Sequence, residues 1–174
     1  MSGELRLFTL YEDFDAGFRA KRFADLIDTR VGNQRKIARA MWRMGSAKPI
    51  GRIHQMMARD AAESDILLVA SSAVDQTQHT VIRWLYSLLG WRSNLMLPGL
   101  IIGLLGGEDR PAHASDWLVS QLRAFATRNH LEFTWCSRSE SITDGPWIEQ
   151  VLEKIFASRN TGVRNEILPA CTAT

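Results

Sequence analysis

Asp65 to Ser72 reads Asp-Ile-Leu-Leu-Val-Ala-Ser-Ser, an apolar run without alternation between polar ends. A run this short suits a strand buried on both faces, as in a parallel sheet covered by helices. Similar runs recur along the chain. Leu5 to Tyr11 opens as a strand, Leu100 to Leu105 (Leu-Ile-Ile-Gly-Leu-Leu) is a fourth, and Leu131 to Cys136 a short fifth. Ile37 to Met44 fits the second position, although its alternation is imperfect.

Helical periodicity fills the intervals. Asp13 stands where a carboxylate can take up free amide hydrogens of a first helical turn. Phe14, Phe18, Ala24 and Ile27 follow near helical spacing, with Arg19, Lys21 and Arg22 offset from them, and Gly32-Asn33 ends the segment. Pro49 suits the start of a second helix marked by Ile53, Met56, Met57 and Ala61, the Met pair reading as core filler. A polar loop is expected over Ser71 to Gln78, then a helix from about His79 to Gly90. Its Val81, Ile82, Trp84, Leu85, Leu88 and Leu89, with Trp91 beyond, span an arc wider than one buried stripe. That width predicts either a deeply buried helix or a homodimer formed through Val81 to Trp91. Ser115 is placed to cap a helix with Trp117 or Leu118, Leu122 and Phe125 inward. Thr143 to Pro146 announces the last helix, with Ile148, Val151, Leu152, Ile155 and Phe156 inward.

Five strands alternating with five helices predict a doubly wound α/β fold with an open parallel sheet. Right-handed crossovers make 2-1-3-4-5 the natural strand order. At 174 residues the chain is expected to form one domain over residues 1–160, with 161–174 a tail where the pattern stops. Hydrophobic content of 45% and charged content of 23% are globular values. The net charge of +2 is small, and Arg35, Lys36, Arg39 and Arg43 form the densest basic group; a solvated face explains it better than a nucleic-acid footprint. Two cysteines without a CxxC pair argue against a disulfide framework or a structural zinc site. No segment approaches the roughly 20 apolar residues of a membrane helix, and Met1 to Arg6 has no signal-peptide pattern. A cytoplasmic setting is the expectation.

In such folds ligands collect beyond the carboxyl ends of the strands, near the reversal between the first and third. The candidate ligand-binding residues are therefore Tyr11, Glu12 and Asp13 after the first strand; Ser71, Ser72 and Asp75 after the third; and Gly106, Gly107, Glu108 and Asp109 after the fourth. Cys136, Ser137 and Arg138 end the fifth. Glu12, Asp13, Glu108 and Asp109 could converge on a hard cation such as magnesium, or cap helices and keep the strand ends solvated; the second reading is preferred. Ser71 or Ser72 as a nucleophile would need His79 or His113 as base, and no GxSxG elbow surrounds either serine. Cys136 reads as a buried, inert thiol.

From Leu5 to Ser158 this set resembles two families. Receiver domains of response regulators carry acidic residues after strand one, and Glu12 and Asp13 sit there. Their phosphoaccepting aspartate is replaced by Ser71 or Ser72, Gly106 stands for the hydroxyl residue, and no lysine follows Trp135. The resemblance thus implies a degenerate receiver that signals by contact. Flavodoxins and flavin-dependent quinone or nitro reductases are similar in the run Asp65 to Ser72, in the helix with Ile82, Trp84 and Leu85, and in the Gly106-Gly107 turn, through which backbone could approach a flavin. Those proteins hold the FMN phosphate with a Ser-, Thr- and Gly-rich loop after strand one. Here Glu12, Asp13 and Asp15 occupy that loop, and carboxylates repel a phosphate; FMN is disfavoured. The expected function is a binding or regulatory module, the alternative a flavin-dependent NAD(P)H oxidoreductase with an atypical phosphate site.

Overall fold

The computed structural model describes residues 4–31, 36–45, 51–72, 75–89, 99–106, 116–136 and 146–160. Five strands alternate with five helices in them: β1 (Leu5–Tyr11), α1 (Phe14–Val31), β2 (Ile37–Arg43), α2 (Arg52–Ala62), β3 (Ile66–Ser71), α3 (Asp75–Leu89), β4 (Leu100–Leu105), α4 (Asp116–Arg128), β5 (Glu132–Cys136) and α5 (Pro146–Asn160). Every strand pairing is parallel and the order is β2-β1-β3-β4-β5, the flavodoxin-like arrangement. The chain reverses its direction across the sheet between β1 and β3.

The unbroken apolar run of β3 follows from its central position. Leu67 and Val69 face a core layer shared with α2, α3 and α4, while Ile66, Leu68 and Ala70 face a second layer under α1 and α5. Both faces of the strand are thus covered, and all six residues are buried. The edge strand β2 is half-covered, with exposed Arg39, Met41 and Arg43 alternating with partly buried neighbours. That partial covering accounts for its weak alternation in the sequence.

Small residues set the seating of α1. Ala16, Gly17, Ala20 and Ala24 are buried with Phe23 and Ile27. A Cβ on Gly17 would meet the Tyr11 ring at 2.8 Å, so glycine lets the ring lie on the helix backbone. Phe14 and Phe18, expected inward, point out instead, because the register that buries the alanines and Phe23 turns them to solvent. In α2 the buried set is His54, Met57, Ala58, Ala61 and Ala62. This is the same helical period turned by one residue from the expected face, and it leaves Ile53 and Met56 exposed. His54 is held inside by a 3.1 Å contact from Nε2 to Ser87 Oγ and by the Trp84 ring.

The helix α3 begins at Asp75 rather than His79, shortening the expected polar loop. Its Val81, Ile82, Trp84 and Leu85 all lie in the core, so this part of the broad arc is satisfied within one chain. The side chains of Leu88, Leu89 and Trp91 lie outside the described residues, as do Pro49, Ser115 and Thr143. Of the two alternatives in α4, Leu118 is buried and Trp117 is exposed. Among the described residues no helix is long and apolar enough to cross a membrane.

Candidate functional site at the end of β1

Parallel pairing brings the carboxyl ends of β1 and β3 side by side, with Tyr11 opposite Ala70. The Glu12 amide donates to the Ala70 carbonyl at 3.1 Å, extending the ladder one step past β1. Glu12 therefore emerges beside Ser71, and Asp13 beside Ser72. Asp13 caps α1 as expected: its Oδ1 accepts from the Ala16 amide at 2.8 Å.

The four polar residues are tied to one another. Glu12 Oε2 accepts from Ser71 Oγ at 2.6 Å and from the Ser72 amide at 3.0 Å. Ser72 Oγ lies 2.8 Å from Asp13 Oδ2 and 3.3 Å from Glu12 Oε2. A hydroxyl carries one proton, and the shorter distance directs it to Asp13. Burial of Asp13 opposes its ionisation, but the Ala16 amide, the Ser72 hydroxyl, the nearby Arg19 charge and the Asp15 amide together hold its carboxyl below the ordinary 3.8.

Beneath this cluster lies Arg19, which was read from the sequence as part of the polar face of α1. Its side chain is 8% exposed. One guanidinium nitrogen donates to the Gly106 carbonyl and the other to the Ser71 carbonyl at 3.3 Å. The Gly106 amide in turn donates to the Ser71 carbonyl at 2.9 Å. Gly106 has φ +105°, a conformation that favours glycine. Its backbone polar groups are turned towards Ser71 and Arg19, whereas the sequence suggested a turn open to a flavin. One buried cation thus joins α1, β3 and the exit of β4. A signal for it was present in the sequence: position 19 lies three residues after Ala16 and four before Phe23, on the buried stripe.

Of the remaining candidates, Tyr11 packs on Gly17 and the adjoining core. Asp75 opens α3. Gly107, Glu108 and Asp109 lie outside the described residues, as do Ser137 and Arg138. No group of three or more His, Cys, Asp or Glu side chains able to hold a metal ion occurs among the described residues. His79 packs against Trp117 with ring centroids 4.5 Å apart and the planes tilted by 57°. Cys136 is buried. Arg39 of the basic group is taken up by Asp25 and Asp28 on α1, at 2.5 and 2.7 Å. A cleft of about 340 Å³ lies at the opposite edge of the sheet, bordered by Arg6, Phe8, Ala40, Asp60 and Glu63. It is remote from the switch point, and its Arg6 and Glu63 are paired with each other.

Chemically, the junction offers two carboxylates against one buried guanidinium. The described residues here do not fit an FMN phosphate. The hydroxyls and the amide that could meet a dianion already meet Glu12 and Asp13, and each like-charge pair costs roughly 4 kcal/mol at about 4 Å in a protein-surface environment. Ser71 is fully buried with its Oγ donating to Glu12, so burial separates this hydroxyl from any group arriving from solvent.

No protein-family model matches the chain, and no curated protein sequence matches it. Among solved structures it is similar to an azoreductase from Bacillus anthracis str. Sterne, with a TM-score of 0.48, 8% identity, and 90% of this chain and 96% of that one covered. It is also similar to homoserine dehydrogenase from S. aureus, with a TM-score of 0.43 and 12% identity over 78% of this chain. The chain spans about a third of that enzyme, 33% of its length. No residue role is transferred from either.

Proposed function

We propose that this chain is a flavodoxin-like binding or regulatory module that works by contact, without acyl-phosphate chemistry and without FMN. One observation carries the reading: at the switch point the Glu12 carboxylate takes the Ser71 hydroxyl and the Ser72 amide, the donors an anionic group would need. The protein's own anion stands where a phosphate would have to bind. The buried Arg19 supports the same reading, since its donors are directed to backbone carbonyls of β3 and β4.

The test is an absorbance spectrum of freshly purified protein, repeated after incubation with FMN and gel filtration. Parallel samples are treated with acetyl phosphate and weighed by intact-mass spectrometry. The expected result is a colourless protein that retains no flavin and gains no phosphoryl mass. A flavin band approaching one per chain, or an added phosphoryl group on Ser71 or Ser72, would overturn the proposal.

A further inference from the structure

We infer that α1 is the two-fold interface of a homodimer, with a second copy of this chain as its partner. Phe14 is 82% exposed and Phe18 55% exposed, one helical turn apart on the outer face of α1. Asp15, Lys21 and Arg22 are exposed on the same face. Side chains three and four residues apart lie side by side on a helix, so these five form one continuous stripe. The stripe is self-complementary. When a second α1 runs antiparallel about an axis at Phe18, Phe18 meets Phe18, Asp15 meets Lys21, and Phe14 meets Arg22. Each contact occurs twice by symmetry, as an isologous interface requires. The Phe18 pair excludes water at the centre, the Asp15–Lys21 pairs fix the antiparallel direction, and each Arg22 guanidinium lies over a Phe14 ring. A parallel arrangement would place like charges together.

The ion pairs within one chain permit this exchange. Lys21 is bound to Asp25 at 2.7 Å, but Asp25 is also bound by Arg39 at 2.5 Å. Lys21 can therefore turn to Asp15 of the second copy without leaving Asp25 unpaired. The α3 face expected from the sequence to form a dimer has Val81, Ile82, Trp84 and Leu85 inside the core. The overlap runs only from residue 14 to residue 22, a short contact beside the ~800 Å² a side of standard complexes, and a weak, reversible dimer is expected. The inference is independent of the functional reading above.

The experiment is sedimentation velocity on the full chain from about 10 μM to about 1 mM, a range that spans weak association. A reversible monomer–dimer equilibrium is expected for the wild type. Phe18→Asp is expected to raise the dissociation constant by at least ~10-fold, the effect of truncating an interface centre. Asp15→Lys and Lys21→Glu should each weaken the dimer, and the double variant should restore it to within about threefold of wild type. Circular dichroism confirms that each variant is folded. A wild type that stays monomeric, a dimer indifferent to Phe18→Asp, or a double variant no tighter than the single ones would overturn the inference.

Discussion

The two edges of the sheet both carry polar contacts, but of different kinds. At the amino-terminal edge the pairs are exposed: Arg6 with Glu63 at 2.7 Å, Lys36 with Glu4 at 3.7 Å, Lys154 with Glu132 at 2.9 Å. Their side chains are between 38% and 84% exposed, so water screens the attraction and the gain is small. At the carboxyl edge the contacts are buried or part-buried and join three elements: Glu12 and Asp13 to Ser71 and Ser72, and Arg19 to the Ser71 and Gly106 carbonyls. Losing one partner there leaves another with fewer hydrogen bonds where water is wholly or partly excluded, which costs more than at an exposed pair. Folds of this type hold their ligands at the carboxyl edge, and among the described residues of this chain the junction of β1, β3 and β4 there is tied together by its own side chains.

The sharpest way to break this contrast is at Arg19. Arg19→Met keeps most of the volume and removes the donors to two buried carbonyls, and it should cost about 3 kcal/mol in chemical denaturation. A loss below about 1 kcal/mol would place Arg19 with the surface pairs. Asp13→Ala removes an N-cap and the Ser72 partner, with an expected loss of about 1 kcal/mol.

The sign of the pH effect at Asp13 follows from its lowered pKa. Its contribution is complete above the unfolded value of 3.8 and disappears as pH falls through the still lower folded value. Asp13→Asn keeps a capping oxygen and does not titrate. The stability gap between wild type and this variant should therefore narrow on acidification below about pH 4, as followed by thermal melts. A gap that widens would reverse the assignment. At the other edge, Arg6→Ala and Lys154→Ala should each change stability by at most about 0.5 kcal/mol, and less at high salt.

Much of this architecture was legible because alternate burial on two faces forces long apolar runs. β1 and β4 match their expected bounds, and the strand order follows from handedness. The Asp13 cap was legible too, since a carboxylate before an apolar-periodic segment has a local role. Three features were not. Arg19 looked like a polar-face residue because charge outweighs position in any reading by hydropathy, yet the helix register puts it inside. Phe14, Phe18, Ile53 and Met56 were expected on the buried stripe because large apolar residues at helical spacing were given more weight than small ones, but alanines set the close face of α1 and of α2. The start of α3 was hidden because Asp75, Gln76, Thr77 and Gln78 carry no apolar period. That Glu12 and Asp13 would meet Ser71 and Ser72 follows from the topology, whereas which donors they take depends on side-chain packing.

The central claim, that Glu12 takes the Ser71 hydroxyl for itself, is tested most directly by a double-mutant cycle. Glu12→Ala, Ser71→Ala and the double variant are unfolded in denaturant alongside wild type. The account predicts a coupling energy of about 1.5–3 kcal/mol, the range for a hydrogen bond to a charged group. A coupling within about 0.5 kcal/mol of zero would mean that the two side chains act independently, and the carboxyl edge would then be open to a ligand after all.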